Sequence, residues 1–147
     1  MTQLAKRWEA HVPFAEAVAS SERSLLDAAL ENAVEGCVRE LWGALSAHYQ
    51  AAAAYDPTAQ RAWGEIAADE SEHAELSFAL HEWYLQQLTG DERVQIEAAM
   101  ERARLELRVE LATAAPPHAA VVHGAGVPDP ICAVALFNQL ESQVLAA

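Results

Sequence analysis

The chain has 147 residues, of which 52% are hydrophobic, 7% aromatic and 21% charged. A chain of this length is expected to form a single domain over residues 1–147 and to bury about two thirds of its unfolded surface. The composition excludes collagen-like, disordered and disulfide-scaffold proteins. The formal net charge of −13 repels phosphate backbones and anionic lipids, so we expect no nucleic-acid or membrane partner.

The N-terminal residues and the cysteines suggest a cytoplasmic location. Lys6 and Arg7 are not followed by the apolar core of a signal peptide, and no window approaches about 18 uninterrupted apolar residues. Cys37 and Cys132 lack the spacing of a metal-binding or redox motif, so they are interpreted as small buried hydrophobic residues.

Residues that favour helices dominate the sequence, and strand-like alternation is not sustained, which predicts an all-α fold. Residues 1–19, interrupted by Pro13, are expected to form a short N-terminal helix or arm. The first long helix is predicted to begin after an N-cap at Ser20 or Ser21 and to end near Tyr55.

The second predicted helix begins at Asp56 and Pro57, where an N-cap precedes a proline at the first helical position. It is expected to run to about Leu88 and to stop at Gly90. The short connection to the first helix requires an antiparallel hairpin. The remaining predicted elements are a third helix over 91–113, a loop over 114–130 and a fourth helix over 131–145.

Charged residues on the predicted apolar faces carry the functional signal. At roughly 100° per residue, Glu35 projects onto the edge of the core face of the first helix, whereas Arg39 and Glu40 point to solvent. In the second helix, Glu70 and His73 fall on the stripe of apolar residues that is predicted to face the core. A carboxylate buried there costs several kcal/mol unless it has a partner, a proton or a metal ion.

Glu70 and His73 are three residues apart, so the two side chains can converge on one ion. Folding the predicted hairpin brings Glu35 to within about one helical turn of Glu70. Carboxylate and imidazole ligands without a thiolate suit iron or manganese better than zinc. These three residues are therefore candidate metal ligands.

The run Glu35-Gly-Cys-Val-Arg-Glu-Leu-Trp42, followed by Ile66-Ala-Ala-Asp-Glu70-Ser-Glu-His73-Ala, resembles the first half of the ferritin-like superfamily, especially rubrerythrin-like bacterial domains. The resemblance covers about residues 31–85. It implies an antiparallel four-helix bundle around two carboxylate-bridged metal ions, with two Glu ligands and two Glu-x-x-His pairs. It further implies a di-iron or manganese centre with ferroxidase activity, or with redox chemistry linked to peroxide or oxygen.

The second half departs from this pattern because the last predicted helix contains no Glu-x-x-His pair. Two arrangements could complete a dinuclear centre. In the first, Glu101 or Glu141 joins the ligands of the first half within one chain. In the second, a homodimer brings together Glu35, Glu70 and His73 from both copies.

Two other functions remain open at the level of sequence. The chain could be a non-catalytic helical bundle that serves as a scaffold or interaction module, with Glu35 and His73 as a buried pair. It could also present an amphipathic surface to a basic or hydrophobic partner. His81 is too far along the second helix to bind the same ion and is interpreted as a core histidine.

Overall fold

The computed structural model describes residues 22–145, and the predictions for residues 1–19 and for caps at Ser20 or Ser21 lie outside this range. The described backbone is helical with connecting loops and contains no strand, which confirms the all-α prediction. The first described helix begins at Leu25. Ser24 caps it, because its Oγ accepts a hydrogen bond from the Asp27 amide at 3.1 Å while the Asp27 carboxylate accepts one from the Ser24 amide.

One long helix over residues 25–53 forms the centre of the fold. It consists of α1 (Leu25–Glu31), a π-helical segment (Asn32–Glu40) and α2 (Leu41–Ala53). A π-helix is rare and occurs mostly as a single turn, often at functional sites. The regular α-helix predicted here is wrong over residues 32–40, so the side chains of this segment point in directions that a spacing of 3.6 residues per turn does not give.

Helix α3 (Pro57–Gln87) confirms the predicted start, because the Asp56 carboxylate accepts a hydrogen bond from the Thr58 amide at 2.7 Å. The helix ends at Gln87 with Leu88 as its C-cap, which confirms the predicted end near Leu88, but Gly90 is not the residue that stops it. Gly90 is the first residue of α4 (Gly90–Thr113), and Thr89 caps that helix in a reciprocal pair with Glu92. A threonine with a glutamate three residues later determines a helix start more strongly than the glycine between them determines a stop.

The predicted loop over 114–130 contains a short helix, α5 (Ala119–Ala125), and is followed by α6 (Pro130–Leu140) and a π-helical turn (Glu141–Leu145). Asp129 caps α6 as predicted. In the described part of the chain, no single helix is long and apolar enough to cross a membrane. The bent pair Ala119–Ala125 and Pro130–Gln143, at 46° to each other, reaches that length and composition only when taken together.

The segment around α5 folds back onto the turn between α2 and α3. The amides of Tyr55 and Asp56 donate hydrogen bonds to the carbonyl oxygens of His123 and Gly124 at 3.0 and 3.1 Å. Gly126 adopts a left-handed conformation with φ of 68°, and a Cβ on it would lie 2.6 Å from the Ala54 nitrogen. Only glycine suits this contact, since it avoids both the strained backbone and the clash.

Helices α4 and α6 pack against one side of the long helix with large apolar side chains. The Trp42 and Phe137 rings meet edge to face with centroids 5.9 Å apart. The buried members of this core cluster are Val38, Ala103, Leu107, Phe137 and Leu140.

Helix α3 packs against the other side of the long helix with small side chains, namely Ala59, Ala67, Ala74 and Ser77. At Gly36 an added Cβ would lie 2.5 Å from Ser77 Oγ, so the missing side chain allows the two helices to approach closely. Within residues 22–145, α3 has no extensive contact with α4 or α6. Grooves therefore remain along both flanks of α3.

Candidate metal site

Glu70 and His73 lie side by side on α3, with His73 Nδ1 3.6 Å from Glu70 Oε2. Their side chains are 34% and 60% exposed, so the prediction that they face the core is wrong. The apolar stripe was inferred from large residues such as Trp63 and Ile66, whereas the actual contact is built on alanine and serine. The carboxylate and the imidazole are therefore accessible to an ion from solvent.

Glu35 lies on the π-helical segment of the long helix and does not join this pair in a metal-binding group. Its side chain is 61% exposed, and its Oε1 is 3.8 Å from Arg39 Nε. Glu35 borders a groove of about 260 Å³ that is also lined by Ser77, one helical turn beyond His73. We call the side of α3 that carries Glu70, His73 and Ser77 the carboxylate flank.

The π-helical segment adds a carboxylate that the sequence analysis assigned to solvent. Because a π-helix closes i→i+5 hydrogen bonds, residues five apart come close to the same face. Glu35 and Glu40 are five apart and line the same groove, and Glu40 Oε2 accepts a hydrogen bond from Ser77 Oγ at 3.2 Å. At 3.6 residues per turn Glu40 points away from Glu35, so the sequence alone does not place Glu40 in this groove.

The floor of this groove is held by hydrogen bonds to the Ser77 backbone. Asn32 Nδ2 donates to the Ser77 carbonyl oxygen at 2.9 Å, and the Cys37 thiol donates to the same oxygen at 3.5 Å. Burial, together with the nearby Glu40 carboxylate, raises the pKa of Cys37 to about 11. The thiol is thus protonated at neutral pH, and its hydrogen bond supports the packing of the two helices.

The two candidate ligands of the second half are held by arginines. Glu101 is exposed, and its Oε2 lies 2.7 Å from Arg104 Nη2. It borders the exposed face of α4, whereas the face packed on the long helix carries Ile96 and Leu107. Glu141 is mostly buried and forms an ion pair with Arg108. The arrangement in which one of these carboxylates turns toward the carboxylate flank is therefore not formed.

Beside His73, α3 presents three large apolar residues to solvent. Leu76, Leu80 and Trp83 follow His73 at spacings of three, four and three residues, which places all four on one face of the helix. They are 57%, 37% and 48% exposed. An apolar surface next to a pair of potential ligands is typical of an interface that another chain covers.

The donor chemistry suits iron or manganese, but one chain does not assemble a complete set. Among residues 22–145, no group of three or more His, Cys, Asp or Glu side chains is placed to hold a metal ion. Of the three ligands predicted in the first half, the described chain brings together only Glu70 and His73. Searches of protein-family models, curated proteins and solved structures give no match to this chain.

Proposed function

We propose that the chain binds iron or manganese in a site that two copies of the chain complete together. The observation that carries this proposal is the accessible pair of Glu70 and His73, 3.6 Å apart. Glu35 lines a groove that also contains Ser77, one helical turn beyond His73. Two copies would supply two Glu residues and two Glu-x-x-His pairs, the ligand set of di-iron carboxylate proteins. The resulting pair of hairpins would form the four-helix, ferritin-like bundle.

The charge on α3 suggests that this association depends on the metal. The helix carries six acidic residues, and Arg61 is its only Lys or Arg. Two such helices repel each other at neutral pH, and divalent cations between them would remove that repulsion. The apolar residues Leu76, Leu80 and Trp83 would then be buried next to the ions.

Iron or manganese bound in this way would supply ferroxidase chemistry or redox chemistry linked to oxygen or peroxide. The chain's own residues would hold and neutralise the ions. Glu70 and Glu35 would provide negative charge, and His73 would provide a neutral imidazole nitrogen. Arg39, which lies between Glu35 and Glu110, would orient the Glu35 carboxylate by its ion pair.

The test combines metal content with molar mass. The full chain is loaded with iron under anaerobic conditions, desalted and analysed for metal per chain, while light scattering gives its mass with and without iron. We expect one ion per chain and a dimer only in the presence of iron. A metal-free dimer, or a monomer that retains no iron or manganese, would contradict the proposal.

A matched pair of variants tests whether Glu70 is a metal ligand. Glu70→Gln and Glu72→Gln remove the same charge from neighbouring positions of α3, but only Glu70 lies beside His73. We expect Glu70→Gln and His73→Ala to lose the retained iron and the iron-dependent dimer, whereas Glu72→Gln keeps both. Equal iron retention in all three variants would exclude the assigned ligands.

The second candidate is a scaffold or interaction module without metal. It is favoured by the ion pairs that occupy Glu35, Glu101 and Glu141, each of which has an arginine partner. A buried pair between Glu35 and His73, as considered from the sequence, is not formed because both side chains are exposed. Self-association that persists without metal and is lost in Leu80→Asp would favour this function.

A further inference from the structure

A small pocket lies between the second half of the long helix, the end of α4 and the start of α6. Its volume is about 270 Å³, and none of the described residues that line it is charged or belongs to α3. The long helix contributes Trp42, Ser46 and Gln50, and the facing walls consist of alanine, leucine, valine and three prolines. We call this surface the proline pocket. It is separate from the proposed metal ligands.

The Gln50 side chain leaves a hydrogen-bond acceptor unused in this pocket. Gln50 is only 7% exposed, and its Nε2 donates a hydrogen bond to Ser46 Oγ at 3.3 Å. No described residue donates to Gln50 Oε1, and the Ser46 hydroxyl donates to no described residue. Buried polar groups usually have a partner, because they lose their hydrogen bonds to water on folding. An acceptor and a donor that both need a partner thus lie one helical turn apart.

The backbone fixes the walls of the proline pocket. Gly126 is left-handed and packs on the end of the long helix, where a Cβ on it would lie 2.7 Å from the carbonyl oxygen of Gln50. Pro117, Pro128 and Pro130 line the pocket, and each proline ring restricts its own φ to about −65°. The pocket is therefore largely formed before a ligand binds, as is usual for small-molecule sites.

We propose that the proline pocket binds a small neutral ring compound that carries an amide. The amide N–H would donate to Gln50 Oε1, and the amide C=O would accept from the Ser46 hydroxyl. The ring would pack against the Trp42 indole and the prolines. A charged ligand would lose its hydration without meeting an opposite charge. An apolar cavity of about 150 Å³ holds benzene, so about 270 Å³ suits one substituted ring.

Titrations of the full chain with three probes of similar shape, followed by ligand-observed NMR, test the proposal. Benzamide carries the N–H and C=O groups, acetophenone has a methyl group in place of the NH₂, and benzoate carries a negative charge. We expect benzamide to bind with a Kd of about 1 mM and about fivefold more tightly than either of the others. Equal affinities for benzamide and acetophenone, or no binding of benzamide at about 10 mM, would overturn the proposal.

A substitution of the buried amide tests the assigned acceptor. Gln50→Leu replaces the amide by an apolar side chain of similar size, so we expect acetophenone to bind more tightly than benzamide. Gln86→Leu makes the same change at an exposed position of α3 and should keep the preference for benzamide. A preference for benzamide that persists in Gln50→Leu would overturn the assignment.

A second pair of variants locates the site without changing the buried amide. Ala115→Trp places a large ring at the exposed edge of the proline pocket, whereas Ala112→Trp adds the same side chain to an exposed position of α4 outside it. We expect the first variant to bind benzamide about tenfold more weakly and the second to bind it unchanged. Equal binding by these two variants would overturn the proposal, even if Gln50→Leu does not fold.

Discussion

The two sides of the long helix are packed with side chains of different size. Toward α4 and α6, large side chains such as Phe137 and Leu107 interlock, whereas the fully buried residues of α3 are alanine and serine, with Gly36 opposite Ser77. Burial of large apolar side chains such as Phe137 is what stabilises a fold. The small side chains allow close approach of two backbones and leave grooves with accessible carboxylates. Large buried side chains thus lie on one side of the long helix and small ones on the other.

The largest expected effect is on the side of α4 and α6. Phe137 is completely buried, so Phe137→Ala removes its contacts and leaves a cavity. We expect the free energy of unfolding to fall by about 3 to 5 kcal/mol, as measured by denaturant titration. Val94→Ala, at an exposed position of α4, should change it by less than about 0.5 kcal/mol. A small effect of Phe137→Ala would show that this side does not dominate stability.

A smaller effect is expected where α3 approaches the long helix. In Gly36→Ala the new Cβ would lie 2.5 Å from Ser77 Oγ and 2.7 Å from Ser77 Cβ, so one helix must shift. We expect a loss of about 1 to 3 kcal/mol, which is typical of overpacking.

Gly43→Ala provides the matched control for Gly36→Ala, because nothing lies within 4 Å of the added Cβ. It should stabilise the chain by about 0.5 to 1 kcal/mol, the usual gain on replacing a helical glycine. If both variants shift the thermal midpoint in the same direction, the close approach at Gly36 does not limit the packing of α3.

The smallest effect concerns His81, whose Nδ1 is enclosed and has no hydrogen-bond partner among the described residues. Burial lowers the pKa of His81 below its ordinary value of 6.5, although the Glu82 and Glu97 carboxylates act in the opposite direction. Between the folded and unfolded pKa values the unfolded chain binds the extra proton, so stability should fall as the pH drops below about 6.5.

His81→Leu should remove this part of the pH dependence in unfolding titrations between pH 5 and 8. Glu97→Gln should instead deepen the loss at low pH, because one carboxylate that favours the charged imidazole is removed. An unchanged pH profile in both variants would show that His81 is not the group that titrates.

Features that depend on a few neighbouring residues could be predicted from the sequence. Asp56 with Pro57, and Asp129 before Pro130, start helices because their side chains accept hydrogen bonds from amides two or three residues later. The same local pattern, a side-chain cap at Thr89 with Glu92 three residues later, predicts that a helix begins at Gly90. The all-α class follows from composition and periodicity, which do not require long-range contacts.

Features that depend on distant contacts could not be predicted in this way. The π-helical segment changes the direction of Glu40, and nothing in residues 32–40 alone shows that the helix will widen there. The face that α3 buries is decided by how closely Ala67 and Ala74 can approach the long helix. The periodicity of large apolar residues therefore predicted a buried face of α3 that lies too close to Glu70 and His73.

The return of the α5 segment to the tip of the first hairpin has a consequence for the order of folding. During synthesis the long helix and α3 emerge first, and N-terminal regions generally begin to fold first. The amides of Tyr55 and Asp56 at that tip acquire their protein acceptors only when His123 and Gly124 have been made. Until then water must solvate the tip, and the rings of Tyr55 and His123 cannot stack on each other. Completion of the hairpin thus waits for the last part of the chain, which links the two halves into one cooperative unit.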